Sequence, residues 1–198
     1  MPAVALALFA VFLLLDGGVR AAVQRRRTGE NGVRLPVGIF HWGARLTSAL
    51  GGIVAGVVAP VAELLGLDPL PALDRPVPRV GGAVLAGLAI LAVFGCQLAM
   101  GASWRTTVDP GERPGLVTSG PFRLVRNPIY TALTTMTAGL ALAVPSTLSL
   151  VGLAAMIIGI ELQVRRIEEP YLERIHGIAW HQYTARTGRF LPGLGRLR

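Results

Sequence analysis

Apolar stretches alternate along the chain with short polar segments rich in Arg, and this alternation is the strongest structural signal in the sequence. Five apolar blocks stand out, at about residues 2–23, 46–67, 80–101, 129–144 and 147–164. A helix needs roughly 20 apolar residues to cross the hydrocarbon core of a bilayer, and the blocks are of that order. Pro145-Ser146 separates the last two. Proline cannot continue the helix before it, and the fourth block is short for a full span, so these two blocks form a close helical hairpin. The pattern predicts an all-α integral membrane protein with about five transmembrane helices. We divide it into a three-helix N-terminal membrane region, residues 1–102, and a second region, 103–198, holding a polar loop, the hairpin and the C-terminal tail.

Composition supports the membrane assignment. Of 198 residues 52% are hydrophobic and 15% charged, with a mean hydropathy of +0.56, against about 25% charged residues in soluble domains. The formal charge is +8, and all nineteen basic residues are Arg. These flank the apolar blocks instead of forming a soluble basic face, which argues against nucleic acid as a partner and for membrane lipids. The absence of Lys, with abundant Ala, Gly and Val, is what a GC-rich bacterial genome would encode. Cys96 is the single cysteine; it lies mid-span and permits no internal disulfide.

Arg placement also predicts topology. With five spans, 17 Arg fall on one side of the membrane and Arg75 and Arg79 on the other. The expectation is a multi-pass protein of the plasma (inner) membrane, with its N-terminus outside and its C-terminus cytoplasmic. The first block has no basic residue before it and no convincing small-residue cleavage site, and Arg25-Arg26-Arg27 follows it, so it is expected to stay as an anchor.

The loop before the hairpin carries turn signals at Asp109-Pro110-Gly111, Pro114-Gly115, Gly120-Pro121 and Asn127-Pro128. In the tail, Leu172, Ile175, Ile178 and Ala179 fall at helical spacing between charged residues, which predicts an amphipathic helix over 168–186 that lies against the membrane or caps the bundle. Gly51-Gly52 and Gly81-Gly82 lie within spans and predict close helix packing. His41-Trp42 is an interfacial anchor. His176 and His181 are poorly spaced for a metal pair, and no metal site is expected.

Two polar clusters border the hairpin. One, residues 120–130, leads into the fourth block; the other, Glu161 to Glu169, leaves the fifth. A hairpin brings both to the same membrane face, where they should meet. Helical spacing stacks Glu161, Arg165 and Glu168 or Glu169 along one side. A carboxylate within an apolar helix is costly, although Glu161 lies near the boundary.

The run Gly120-Pro121-Phe122-Arg123-x-x-Arg126-Asn127-Pro128-x-Tyr130 resembles the G-[PV]-[YF]-x-x-x-R-[HN]-P-x-Y motif of the isoprenylcysteine carboxyl methyltransferase family, whose superfamily includes phospholipid N-methyltransferases. Glu168-Glu169, Gly177, Tyr183, Arg186 and Leu191-Pro192 are similar to that family's tail. The resemblance implies a membrane methyltransferase that uses S-adenosylmethionine and takes a lipophilic acceptor sideways from the bilayer, with a carboxylate, thiol or amine as the attacked group. It matches Arg126, Asn127, Pro128, Tyr130, Glu169, Tyr183 and Arg186 to the family's cofactor-binding segments. Either Arg126 or Arg165 would pair the cofactor's carboxylate. Glu168 or Glu169 would take its amino group or ribose hydroxyls, or sit near the acceptor. Glu168 and Arg166 are the candidates for a catalytic role. Asn127 stands where many eukaryotic members have His; it can hydrogen-bond but cannot act as an acid or base near neutral pH. The rival readings are an NADPH-dependent membrane reductase of the sterol-reductase type and a non-enzymatic membrane carrier or scaffold.

Overall fold

The computed structural model describes residues 1–107, 111 and 113–197; the turn expected at Asp109-Pro110 lies outside them. Among the described residues the chain forms helices joined by short connectors, with no strand beyond one isolated bridge. We label the helices α1 (Pro2–Thr28), α2 (Ile39–Leu64), α3 (Pro76–Ala99), α4 (Pro128–Ala143), α5 (Thr147–His176) and α6 (Ile178–Arg186). α1, α2, α3 and α5 are long and apolar enough to cross a membrane. α4, with 16 residues, is shorter, as its block is in the sequence. The molecule is an all-α, multi-pass membrane protein.

Helix ends follow local chemistry. α3 and α4 begin with Pro in the first turn, where its missing N–H would have no helical partner. Ser146 caps α5: its Oγ accepts from the Ser149 amide at 3.2 Å, while the Ser149 Oγ accepts from the Ser146 amide at 3.0 Å. This reciprocal cap fixes the tight turn of the α4–α5 hairpin.

Small residues set the packing. Gly82 and Ala86 on α3 face Gly139 and Ala143 on α4. A Cβ on Gly139 would lie 2.6 Å from the Ala86 nitrogen and 2.7 Å from the Gly82 carbonyl oxygen. α2 and α5 pair in the same way: a Cβ on Gly51 would meet the Met156 nitrogen at 2.4 Å, and one on Gly159 would meet the Ser48 nitrogen at 2.4 Å. Hydrocarbon gives apolar side chains little reason to leave lipid, so close backbone approach through small residues is what holds such helices together. Gly51 and Gly82 take the close-packing role expected of them, whereas Gly81 meets nothing. These pairs cross the sequence division at residue 102: α3 packs on α4, and α2 on α5. The core between them holds Ala86, Ile90, Met136 and Leu140, with Phe9 of α1 against it.

Arg75 and Arg79 lie at one end of the bundle, where Arg79 pairs with Glu63 at 3.0 Å. The other end carries the remaining Arg-rich segments. There the 30–38 connector is joined to the following loop: the Thr106 amide donates to the Gly32 carbonyl at 3.1 Å, and the Arg34 amide to Thr106 Oγ1 at 2.8 Å.

The tail departs from the predicted pattern. α5 does not stop at Val164 but runs on to His176 through a widened turn at Val164–Glu168 with π-type hydrogen bonding. Gly177, at φ +50°, breaks the chain between α5 and α6. One continuous helix over 168–186 is therefore not formed. Tyr171 is buried on α5, and beyond the break Trp180 and Thr184 are buried while Ile178 and Ala179 are exposed.

Candidate functional site

At the Arg-rich end of the bundle lies a cavity of about 470 Å³, within the range of small-molecule sites. Its polar part is lined by Arg45, the 103–107 segment, Asn127, Tyr130, Gln163, Glu168, Trp180 and Tyr183. Its apolar part reaches between the spans, where Phe9, Phe12, Ile53, Leu133, Met156 and Ile160 form the wall.

The two polar clusters do meet. The Tyr130 hydroxyl, in the first turn of α4, donates to Glu168 Oε1 on α5. Gln163 Nε2 donates to the same oxygen at 3.2 Å. Residues five apart point to different sides of a regular α-helix; the widened turn between them brings Gln163 and Glu168 alongside each other. That turn also separates the two adjacent carboxylates: Glu168 lines the cavity, and Glu169 faces the tail.

Glu169 is held between two guanidinia. Its Oε1 accepts from Arg126 Nη2 at 2.9 Å and Arg189 Nε at 2.9 Å, and its Oε2 from Arg189 Nη2 at 2.8 Å. Arg126, its side chain 1% exposed, also donates to the carbonyls of Thr187 at 2.6 Å and Gly195 at 3.0 Å. Residues 125–127 lie parallel to 188–189: the Arg126 amide donates to the Gly188 carbonyl at 2.8 Å, and the Asn127 amide to the Arg189 carbonyl at 3.1 Å. Arg126 and Glu169 thus fasten the tail across the start of α4. Tyr183 on α6 donates to the Phe122 carbonyl at 2.6 Å, and burial pushes its phenol up to about 12. Trp180 packs edge-on to Tyr183, their ring centroids 6.0 Å apart.

Of the residues singled out from the sequence, Arg126, Asn127, Pro128, Tyr130, Glu168 and Tyr183 line the cavity. Glu169 supports it from behind. Arg165, Arg166 and Arg186 are exposed and do not line it. The expected stacking of Glu161, Arg165 and a later Glu forms only in part. Glu161 and Arg165 pair with each other, but the widened turn carries Glu168 and Glu169 to other partners.

Sequence reasoning missed several polar residues of the lining, among them Asp16, Arg45 and Gln97, and gave Gln163 no role of its own within its cluster. Gln97 Nε2 donates to Asp16, and Arg45 is within electrostatic reach of both Asp16 and Glu168. A carboxylate inside an apolar block is the signal that would have found Asp16. Gln97 Oε1, Gln163 Oε1 and Trp180 Nε1 are buried without a protein partner, although buried polar atoms are almost always paired.

A family model described as phospholipid methyltransferase matches residues 77–179. The chain belongs to that family, and it is a membrane methyltransferase. No curated protein and no solved structure matches it.

Proposed function

We propose that the protein transfers a methyl group from S-adenosylmethionine to a lipophilic acceptor that enters from the bilayer. One observation carries this reading: a single cavity joins a polar mouth, built by the loop, the α4 start and the tail, to an apolar chamber between the spans. The residues present fit the cofactor. Trp180 and Tyr183 offer aromatic faces, Glu168 a carboxylate for an ammonium or ribose hydroxyls, and Arg45 a cation for a carboxylate. The unpartnered Trp180 Nε1 and Gln163 Oε1 would find partners on a polar ligand. Asn127 and Tyr130 complete this wall. Arg126 and Glu169 act by fastening the tail that carries Tyr183, because their own polar groups are taken up by protein.

The cofactor supplies an activated methyl group, and its transfer is an in-line displacement. What the chain must do is align the two partners and exclude water. An apolar chamber beneath a tied-down tail does both. The Arg-rich segments at the site's end of the bundle support, by the positive-inside rule, a cytoplasmic position for that end in a bacterial inner membrane.

Calorimetry on detergent-purified protein tests the class. We expect micromolar binding of S-adenosylmethionine and S-adenosylhomocysteine and none of NADPH. Binding of NADPH alone would replace this reading with a reductase, and binding of none of the three with a carrier or scaffold.

A further inference from the structure

We propose that Asp16 of α1 receives the methyl acceptor, and that the acceptor is a lipophilic molecule whose nucleophile enters bearing a proton: a hydroxyl, a phenol or an amine. This rests on the methyltransferase reading above.

Asp16 lies where the polar mouth passes into the apolar chamber. Phe12 and Leu13 line the cavity one turn before it on α1, and Gln97 of α3 and Met100 just beyond that helix line it from the other side. The α1 backbone is widened over Leu14–Val19, and such single widened turns often occur at functional positions. A carboxylate at this depth is costly unless it has a task, and Asp16 has modest support from the protein. Gln97 Nε2 donates to it, and Arg45 acts on it through space. Glu168, by contrast, already accepts from both Tyr130 and Gln163.

Around Asp16 the lining presents acceptors. Each Gln must turn its NH2 toward the carboxylate it serves, which leaves its carbonyl oxygen elsewhere. Both oxygens, Gln97 Oε1 and Gln163 Oε1, are buried and unpartnered. Gln163 Oε1 lies on the mouth side with the cofactor candidates; Gln97 Oε1 lies beside Asp16. A ligand group that donates hydrogen bonds satisfies Asp16 and Gln97 together. At the depth of Asp16, an acceptor entering as a carboxylate would meet the Asp16 carboxylate and the unpartnered Gln97 carbonyl oxygen.

The transfer then balances as follows. A lone pair on the nucleophile forms the bond to the methyl carbon as the carbon–sulfur bond breaks, and that bond's electrons stay on sulfur as a neutral thioether. The electrons of the nucleophile's bond to hydrogen become its new lone pair, and the proton passes to the Asp16 carboxylate.

Three probes with the same tail test this on the full-length protein: 4-dodecylphenol, dodecylamine and dodecanoate. Their binding is measured in the presence of S-adenosylhomocysteine, and methyl transfer with labelled S-adenosylmethionine. The wild type should bind and methylate the phenol or the amine in preference to dodecanoate. Asp16→Asn, nearly isosteric, should keep its S-adenosylhomocysteine affinity, which also reports an intact fold. It should lose about tenfold or more in binding of the preferred probe and about a hundredfold or more in transfer. Preference for dodecanoate overturns the proposal without any variant, and so does wild-type probe binding and transfer by Asp16→Asn. If the wild type fails to bind S-adenosylhomocysteine, the methyltransferase reading falls first and the Asp16 assignment with it.

Discussion

Replacing Glu169 with Gln removes the one negative charge between Arg126 and Arg189 while keeping the side chain's size. Glu169 Oε1 accepts from both guanidinia at 2.9 Å and Oε2 accepts from Arg189 at 2.8 Å, so an amide in its place turns an NH2 toward a cation. Breaking a buried ion pair from one side costs about 3–5 kcal/mol. The low end applies here. Arg189 lies near the surface, and Arg126 keeps the carbonyls of Thr187 and Gly195. A cost of about 3 kcal/mol raises the fraction of molecules with the tail released by roughly a hundredfold.

Trypsin reads this directly, because it cuts after Arg and the fastened segment contains Arg189 and Arg196. In detergent, Glu169→Gln should lose its tail on the order of a hundredfold faster than the wild type. Glu168→Gln should be cut at the wild-type rate, because Glu168 holds Tyr130 and Gln163 and not the tail. Its defect should instead be a loss of S-adenosylhomocysteine affinity of about tenfold or more, the worth of one charge-assisted hydrogen bond. Equal cleavage of Glu169→Gln and the wild type would refute the fastening role. Equal loss of affinity in both variants would refute the division of labour between the two carboxylates.

Gly139→Val places side-chain carbon within 3 Å of α3 backbone and should destabilise the protein by about 1–3 kcal/mol or more. Gly81→Ala, at an open position, should be neutral, and thermal unfolding in detergent compares the two. The Tyr183 phenol, raised from 10 to about 12, favours the fold while protonated. That contribution is complete below pH 10 and is lost as pH rises toward 12. Tyr183→Phe should lack this alkaline component of the unfolding profile, though it gives up the bond to Phe122. A reporter fused after residue 198 should be active in the cytoplasm; activity on the opposite side would invert the topology proposed from Arg placement.

The hairpin and the meeting of its two polar clusters were legible because proline breaks and apolar block lengths act locally. Gly82 was legible as a packing position for a similar reason: hydrocarbon leaves small residues few other uses. The course of α5 beyond Val164 was not, since Arg165-Arg166 ends the apolar block although the helix continues. Periodic reasoning also assumed a constant 3.6-residue turn, and the widened turn at Val164–Glu168 breaks that register. It sends Glu168 to the cavity and Glu169 to the tail, so two neighbours of identical chemistry receive different surroundings. The inward face of 168–186 was misplaced for a related reason. Gly177 reorients the chain, and Trp180 is buried where Ile178 and Ala179 were expected. Asp16 carried a signal in its apolar setting, but its partner Gln97 is 81 residues away, beyond any local pattern.

The segment matched by the family, residues 77–179, cannot form this cavity alone. It provides α3 after its first residue, α4 and all of α5, hence Gln97, Asn127, Tyr130, Gln163 and Glu168. Phe9 and Asp16 come from α1, Arg45 and Ile53 from α2, and Trp180 and Tyr183 from beyond the match. α2 is locked to α5 through Gly51 and Gly159, and α1 reaches α2 by laying Phe9 over Gly56, where a Cβ would come within 2.3 Å of the ring. Apart from such contacts α1 is largely exposed, with 11% of its most apolar window buried. Its Arg-rich end is tied down, Arg20 donating to the Gly101 carbonyl at 3.0 Å and Gln24 to the Ala102 carbonyl at 3.1 Å, while the turns before it, through Phe9, Phe12 and Leu13, form a wall of the apolar chamber. On the proposed function, an acceptor from the bilayer would reach the site past α1, the least buried of the four long helices. The methyl donor would then meet groups from both inside and outside the matched segment, Glu168 and Asn127 with Arg45, Trp180 and Tyr183, and Asp16 of α1 would meet the acceptor.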